Sequence, residues 1–316
     1  MSAPAVTARG VAFSYGERRA LGGVDFDVAA GSAFGFLGPN GSGKSTLFRV
    51  LSTIVPPQQG TVSVLGLDLG REPAAVRQRI GVVFQSPAVD RKLTVRENLR
   101  YGGRLYGLSG AALERRADEL LEVAEMRDRA GDRVEELSGG LRRRVEIQKA
   151  LLHRPQLVLL DEASTGLDPA ARRDMWALLR RQHGITVLFT THLMDEAAEA
   201  DRLVLLDGGM VVGAGTPDEL MRKVGGQVLE VEAEAAVLVE VRKHLGGDAQ
   251  ELDGVVRLEG ERVHDRVPPL IDAFGDRLRR VSVAHPSLAD VFLHLTGKRF
   301  VVKPPEPEAR GRRRRR

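Results

Sequence analysis

Short apolar runs alternate with longer segments of helical periodicity through the first two thirds of the chain. The runs are Ala33–Leu37, Thr61–Leu65, Ile80–Phe84, Leu157–Leu160 and Thr186–Thr190, after β-like sequence broken by turn residues over Val6–Val28. Two of them, Leu157–Leu160 and Thr186–Thr190, have the character of strands buried on both faces of a parallel sheet. Strands that alternate with helices predict an α/β domain built around a mainly parallel sheet.

From Thr94 to Met126 the pattern becomes helical, with leucines such as Leu99, Leu113 and Leu120 spaced among many charged residues. This spacing predicts amphipathic helices rather than strands. Because strands flank the segment on both sides, we interpret residues 94–133 as a helical lobe inserted into the α/β domain.

The pattern changes again near Met221–Gly226. The predicted elements that follow are a strand at Gln227–Glu232, a helix at Ala235–Leu245, two short strands around Asp253–Gly254, a helix at Pro268–Phe274, a strand at Arg279–Ala284 and a helix at Ser287–Leu295. The order β-α-β-β-α-β resembles the split βαβ of ferredoxin-like folds. We therefore predict an α/β domain at 1–222, a small α+β accessory domain at 223–300 and a disordered basic tail at 301–316.

Composition limits the kinds of site that the protein can contain and the cellular compartment expected for it. Its 316 residues include no cysteine, so disulfides and thiolate metal sites are excluded. No apolar stretch approaches the roughly 18 to 20 residues that span a bilayer, and the start MSAPAVTARG lacks the features of a signal peptide. The expectation is a cytoplasmic protein.

Positive charge is concentrated at the C-terminal end. Residues Lys298–Arg316 hold nine Lys or Arg and two Asp or Glu, against a net charge of +4 for the whole chain. The remainder is therefore slightly acidic, which gives no basic face for specific nucleic-acid binding. The tail could contact anionic lipid headgroups, each charge contributing about 1 kcal/mol near the surface, or it could be an inert solvated segment.

A glycine-rich segment follows the apolar run that ends at Leu37. It reads GPNGSGKST and consists of Gly38, Pro39, Asn40, Gly41, Ser42, Gly43, Lys44, Ser45 and Thr46. It fits the pattern G-x-x-x-x-G-K-[ST] between a strand and a helix, which predicts a phosphate-binding loop. Lys44 would reach the β- and γ-phosphates and the Ser45 hydroxyl would ligate Mg²⁺. A purely structural glycine turn is the alternative.

Two carboxylates end the buried run LVLLDE, at Asp161 and Glu162. Asp161 suits the coordination of Mg²⁺, directly or through water, and Glu162 suits the polarisation of an attacking water molecule. Without the phosphate loop, the pair could equally cap the next helix.

A third motif makes the combination specific. LSGG, at Leu137–Gly140, precedes a basic helix and the strand that carries Asp161. Phosphate loop, LSGG and LVLLDE in this order resemble the nucleotide-binding domain of ABC transporter ATPases, over about Val6 to Leu220. The resemblance assigns four further residues: Tyr15 to adenine stacking, Gln85 to lobe linkage and Mg²⁺ sensing, Asp168 to the loop after the catalytic strand, and His192 to the γ-phosphate.

The resemblance also implies an assembly. In that family the LSGG segment, here Ser138, Gly139 and Gly140, closes over the γ-phosphate held by the other subunit. Two ATPase subunits, as a homodimer in the simplest case, would then enclose ATP at a two-fold interface. ATP and Mg²⁺ are the implied cofactors, with Ser45, Gln85 and Asp161 as the metal-contacting residues.

Some positions depart from the family pattern. Leu141 follows LSGG where the family often has Gln, and Ala163-Ser164 follows Glu162 where it usually has Pro-Thr. We expect these differences to lower or otherwise change the rate of ATP hydrolysis without abolishing it.

The C-terminal sequence PSLADVFLHLTGK, at Pro286–Lys298, and GLDP, at Gly166–Pro169, resemble the ATPases of drug and antibiotic exporters. This implies a separate membrane permease, docked by the helical lobe 94–133 and by the segment after Gln85, and a peripheral position on the inner face of the membrane. The alternatives are a soluble ABC ATPase acting on nucleic acid or the ribosome, and an uptake ATPase.

Overall fold

A computed structural model describes residues 3–182 and 184–300. It contains fourteen strands in these residues. They are β1 (Val6–Tyr15), β2 (Arg18–Val28), β3 (Ala33–Leu37), β4 (Gln59–Val64), β5 (Leu67–Asp68), β6 (Ile80–Val83), β7 (Leu157–Asp161), β8 (Thr186–Thr191), β9 (Arg202–Asp207), β10 (Met210–Gly215), β11 (Gln227–Ala233), β12 (Gln250–Leu252), β13 (Val255–Gly260) and β14 (Leu278–Ala284).

Eleven α-helices connect these strands within the described part of the chain. They are α1 (Lys44–Leu51), α2 (Pro73–Arg77), α3 (Val95–Leu105), α4 (Gly110–Val123), α5 (Gly139–Leu151), α6 (Pro169–Arg180), α7 (Met194–Ala197), α8 (Pro217–Arg222), α9 (Ala235–Leu245), α10 (Val267–Phe274) and α11 (Leu288–Thr296). Four short 3₁₀ turns complete the described secondary structure.

The central sheet has six strands in the order β10-β9-β3-β8-β7-β6. All neighbours pair in parallel except β10, which pairs antiparallel with β9. Every residue of β7 and β8 is buried, as the unbroken apolar runs predict. Alternate side chains of β7 point into two different cores, Leu157 and Leu159 into one and Val158 and Leu160 into the other, because successive residues of a strand face opposite sides.

A second sheet of four antiparallel strands, β2-β1-β4-β5, covers one of these cores. The phosphate-loop helix α1 lies in the same core through Leu47, Phe48 and Leu51. The turn between β9 and β10 lies between β2 and the phosphate loop: Gly22 N of β2 donates to Gly209 O, and Gly209 N donates to Ser42 O of the loop. The nucleotide loop is thus supported from both sheets.

The helical lobe is closed at its base. Thr94 and Arg133 form an isolated β-bridge, and Val134 N donates to Leu93 O. Thr94 also begins α3 with a capping box, in which its hydroxyl accepts from Glu97 N while the Glu97 carboxylate accepts from Thr94 N. A capping box satisfies two backbone donors at a helix start, so it fixes the position at which α3 and the helical lobe begin.

The C-terminal elements form a third sheet in the order β12-β13-β11-β14, with all neighbours antiparallel. Helices α9 and α10 pack on one face through Leu238, Val241 and Leu270. The hairpin turn predicted at Asp253–Gly254 is present, with φ of 51° and 78°, which are values that a type I′ turn requires.

Helix α11 lies between the two parts of the chain. Its residues Leu288, Val291 and Phe292 belong to the same core as Leu220 of α8, whereas Asp290 on the opposite side is bound by Arg257 of β13 at 2.6 Å. The predicted accessory segment 223–300 therefore contributes its last helix to the core of the larger domain.

None of the helices in residues 3–182 and 184–300 is long and apolar enough to cross a membrane. The basic tail predicted at 301–316 lies outside the described residues.

Candidate active site

The phosphate loop connects β3 to α1 in a conformation that glycine makes accessible. Gly41 and Gly43 have φ of 84° and 105°, in the region that residues with a Cβ rarely enter. A Cβ on Gly38 would lie 2.4 Å from the carbonyl oxygen of Leu206. The motif glycines are therefore required by the path of the backbone and not by composition alone.

Lys44 occupies the centre of this loop and is only 3% exposed. Its Nζ donates to the carbonyl oxygens of Gly38 at 2.7 Å and Pro39 at 3.1 Å. It also lies 3.5 Å from Glu162 Oε1. Burial lowers the pKa of Lys44, and the nearby Glu162 carboxylate opposes that change. The loop thus holds an ammonium group out of water, at the position where an anionic phosphate would approach.

Asp161 and Glu162 lie at the carboxyl end of β7, beside Thr190 of β8. The Thr190 hydroxyl donates to Asp161 Oδ1 at 2.6 Å, and Glu162 N donates to Thr190 Oγ1 at 3.1 Å. Glu162 has φ of 43°, which is uncommon for a residue with a side chain.

The Glu162 carboxylate is surrounded by three groups from other elements. Gln85 Nε2 donates to its Oε2 at 3.2 Å, His192 Nδ1 lies 3.2 Å from the same oxygen, and Lys44 approaches the other oxygen. Burial raises the pKa of Glu162, but contact with His192 and the charge of Lys44 outweigh it, so the pKa is below its usual value. Glu162 is therefore ionised at neutral pH and able to act as a base.

Asp161 behaves differently from its neighbour. Burial raises its pKa, and the hydrogen bond from Thr190 offsets this only in part. Two adjacent carboxylates in unlike environments are suited to different roles, one to a metal ion and one to the attacking water.

A cavity of about 220 Å³ opens beside the loop. Its walls come from the predicted residues Tyr15, Asn40, Gly41, Gly43, Lys44, Ser45, Thr46 and Glu162, together with Arg18, Arg19 and Ala20. Tyr15 is 44% exposed and its hydroxyl accepts from Arg49 Nη1 at 3.1 Å. Arg18 and Arg19 were missed by the sequence analysis, although two arginines three and four residues after the predicted adenine-stacking tyrosine were a visible signal.

The LSGG segment and Asp168 lie elsewhere. Ser138, Gly139 and Asp168 are exposed, and none of them lines the cavity described above. Each polar side chain caps a helix of its own chain: Ser138 Oγ accepts from Leu141 N at the start of α5, and Asp168 Oδ1 accepts from Ala170 N and Ala171 N at the start of α6. A Cβ on Gly140 would lie 3.0 Å from that of Ala171, so the two segments adjoin on one surface.

The donor set suits a magnesium ion that is held together with a nucleotide. Within residues 3–182 and 184–300, no group of three or more His, Cys, Asp or Glu could hold a metal unaided. Mg²⁺ needs only one or two carboxylates when phosphate oxygens and water complete its shell. Asp161 and the hydroxyl of Ser45 are oxygen donors of the required kind.

A glycine loop around a buried lysine follows β3, and two carboxylates end β7, which is separated from β3 by β8 in the same parallel sheet. This arrangement defines a P-loop nucleotide-binding protein. The family model described as ABC transporter matches residues 21–165. The chain is 40% identical to the daunorubicin resistance ATP-binding protein DrrA3 of Streptomyces coeruleorubidus, over 96% of this chain and 99% of that protein. It is 39% identical to the Nod factor export ATP-binding protein I of Rhizobium sp. (strain N33), over 94% and 99%.

Solved structures show the same similarity. An ATP-binding cassette of an ABC transporter in its ADP conformation has a TM-score of 0.63 and 28% identity, covering 71% of this chain and 95% of that one. A dimeric post-hydrolysis cassette bound to ADP and phosphate has a TM-score of 0.61 and 29% identity, covering 67% and 98%. The chain belongs to the family of ABC transporter ATP-binding proteins.

The class of protein predicted from the sequence is thereby confirmed: the chain is an ATP-binding and ATP-hydrolysing subunit of the ABC transporter type. The alternative of a soluble ABC ATPase acting on nucleic acid or the ribosome is not favoured.

Proposed function

We propose that two copies of this chain enclose two ATP molecules, each bound by the phosphate loop of one copy and the LSGG segment of the other. The observation that supports this most directly is the separation of the two half-sites. Lys44 and Glu162 border the nucleotide cavity, whereas Ser138 and Asp168 face solvent on a different surface. A serine at the start of the thirteen-residue helix α5 is suited to receive a phosphate anion from outside.

Within each site, we assign roles by contact. Tyr15 stacks on adenine at the mouth of the cavity, the amides of Gly38–Thr46 surround the phosphates, and Lys44 binds the β- and γ-phosphates. The Ser45 hydroxyl, Asp161 and the Gln85 amide would hold Mg²⁺, the last two directly or through water. An ion held there would supply positive charge that neutralises the phosphates.

Hydrolysis in this proposal begins at Glu162. Its ionised carboxylate accepts a proton from a water molecule that is aligned with the γ-phosphate. His192, which lies 3.2 Å from Glu162, and Lys44 stabilise the charge that develops on the phosphate oxygens. The hydrogen bond from Gln85 to Glu162 orients the base and links it to the adjoining loop.

The permease partner would dock on a groove of about 320 Å³ beside β6. Phe84 and Ala88 line one side of it, and Leu105 and Tyr106 of the helical lobe line the other. Leu105 is 81% exposed, which is unusual for a leucine beside a groove and fits an interface that a partner covers. This location agrees with the predicted docking by residues 94–133 and the segment after Gln85.

We assign the domains as 1–222 for the ATPase and 223–300 for the accessory part, with α11 joining them. The relatives named above are drug-resistance and export proteins, so we propose export of an organic molecule through the permease. The chain would then lie in the cytoplasm on the inner face of the membrane. Contact of the 301–316 tail with anionic lipid stays a prediction from charge alone.

Light scattering tests the two-chain site. The variant Glu162→Gln retains the cavity but removes the base, so ATP with Mg²⁺ should convert it from monomer to dimer. Adding Ser138→Arg places bulk and positive charge at the helix start and should abolish that dimer. Ser109→Arg, the same change at the exposed N-cap of α4, is the matched control and should leave the dimer intact. A dimer that survives Ser138→Arg contradicts the proposal.

A further inference from the structure

A buried ion pair on helix α5 contacts the loop that carries Gln85. Arg143 and Glu146 are 6% exposed each, and Arg143 Nη1 lies 2.5 Å from Glu146 Oε2. This pair contacts neither the nucleotide cavity nor Glu162 directly. Nothing in the assigned chemistry of the site uses it, and taking two charges out of water costs several kcal/mol per ion before their attraction is counted.

Both members of the pair also bind backbone atoms of the loop. Arg143 Nη1 donates to Phe84 O at 2.9 Å, and Arg143 Nη2 donates to Gln85 O at 3.3 Å. Glu146 Oε1 accepts from Ala88 N at 2.7 Å. One turn further along the same helix face, Lys149 Nζ donates to Ala88 O at 2.7 Å. Three side chains spaced i, i+3, i+6 thus hold both ends of a short loop against α5.

Ser138 is the N-cap of the same helix, α5. The loop held by the Arg143–Glu146 pair includes Gln85, whose side chain donates a hydrogen bond to Glu162. A series of contacts therefore connects Ser138, which the proposed function places against the second subunit, to Glu162. The series consists of helix α5, the Arg143–Glu146 pair and Gln85. Ala88 and Glu146 in addition line the groove that we assign to the permease.

We propose that Arg143 and Glu146 are positioning residues that fix the Gln85 loop to the LSGG helix, so that Gln85 orients Glu162 only when the two move as one unit. This inference rests on the proposed function. It predicts that releasing the loop impairs the chemical step while leaving ATP binding by the phosphate loop unchanged, because no atom of the pair lines the nucleotide cavity.

The variant Arg143→Met/Glu146→Leu in the full chain tests the proposal. Apolar residues of similar size commonly replace a buried ion pair without loss of stability, but they cannot bind the loop backbone. We expect the Ala88 amide to exchange with solvent at least tenfold faster while amides of α1 and β8 are unchanged. We also expect kcat to fall tenfold or more with KM for ATP within twofold, since small displacements of reacting groups cost large factors in rate.

A second pair serves as the matched control. Arg116 also pairs with a glutamate at i+3, Glu119, and also donates to two backbone carbonyls, those of Leu151 and Leu152. It holds the far end of α5 and does not contact the Gln85 loop. Arg116→Met/Glu119→Leu should leave kcat within twofold of the parent. The conservative variant Glu146→Gln, which keeps an oxygen for Ala88 N, should retain most of the parental kcat.

Parental kcat in Arg143→Met/Glu146→Leu would overturn the proposal. So would an equal loss in the Arg116→Met/Glu119→Leu control, or a loss in Glu146→Gln as large as in the apolar pair, since either would indicate general destabilisation. If the parent protein itself fails to hydrolyse ATP, the proposed function fails instead. The exchange rate of the Ala88 amide still decides whether the pair holds the loop.

Discussion

The two halves of the nucleotide site differ in how complete they are within one chain. Lys44 and Glu162 are buried, and Glu162 is already contacted by Gln85, Lys44 and His192. Around Ser138 and Asp168 the polar groups are exposed, and each only caps the helix that it begins. The first half is organised within one chain, whereas in the proposed two-chain site the second would bind a phosphate only when another chain supplies one.

If the proposed two-chain site is correct, this difference separates ATP binding from ATP hydrolysis within one sequence. A preorganised phosphate loop can bind nucleotide in the monomer, because electrostatic groups that are already in place need no reorganisation. Hydrolysis would require the exposed half of a second subunit. Substitutions in the two halves should therefore fail in different ways.

The largest effect is expected from Glu162→Gln in the buried half. Removing a positioned general base typically costs a factor of about 10² to 10⁴ in rate, so steady-state ATP turnover should fall by that amount. Binding of ATP, measured by calorimetry, should be retained because Lys44 and the glycine loop are unchanged. Glu251→Gln, on the exposed face of β12, is the control and should behave like the parent. Turnover of Glu162→Gln at the parental rate would remove Glu162 from the mechanism.

A smaller effect is expected from Thr190→Val, which tests whether the buried half is held together in the free subunit. The variant keeps the shape of the side chain but removes the hydroxyl that serves both Asp161 and Glu162 N. Losing a hydrogen bond to a charged group should lower the free energy of unfolding by about 1.5–3 kcal/mol. Thermal or urea unfolding of the monomer measures it.

The matched control is Thr186→Val in the same strand, where the buried hydroxyl accepts from Gly31 N. Its loss should cost about 0.5–1.5 kcal/mol. Equal losses at both positions would indicate that Thr190 has no special role in supporting the carboxylates.

The smallest effect on stability is expected from Asp168→Ala in the exposed half. Removing an N-cap costs about 1 kcal/mol, and Ser287→Ala, which removes the N-cap of α11, should cost a similar amount. Only Asp168→Ala should also weaken the ATP-driven dimer of the Glu162→Gln background. If both or neither of these cap variants weaken the dimer, Asp168 acts solely as a cap.

Much of the buried half could be predicted from the sequence because its residues are adjacent in the chain. Spacing alone indicated the loop around Lys44 and the carboxylates that end β7. The turn at Asp253–Gly254 could be predicted in the same way, because few residue pairs adopt its backbone angles. In each case the signal is local, and the chemistry follows from residue type and order.

Features that depend on distant contacts could not be predicted. In the sequence, Arg143 and Glu146 are part of a basic helix, and nothing there indicates that Phe84 O and Ala88 N lie against them. Strands β9 and β10 are absent from the elements predicted from the sequence. The position of α11 against α8 also depends on the fold, since an amphipathic helix does not specify which core it joins.

The division of the site between two chains is the central claim, and mixing two inactive subunits tests it most directly. One subunit carries Lys44→Ala and an intact LSGG segment, and the other carries Ser138→Arg and an intact phosphate loop. Each alone should hydrolyse ATP poorly. In a mixed dimer one of the two sites combines the intact phosphate loop with the intact LSGG segment of its partner, so ATPase activity should reappear on mixing and rise with the fraction of mixed dimer. If the mixture is no more active than the two variants measured separately, the phosphate loop and the LSGG segment do not act across the subunit interface.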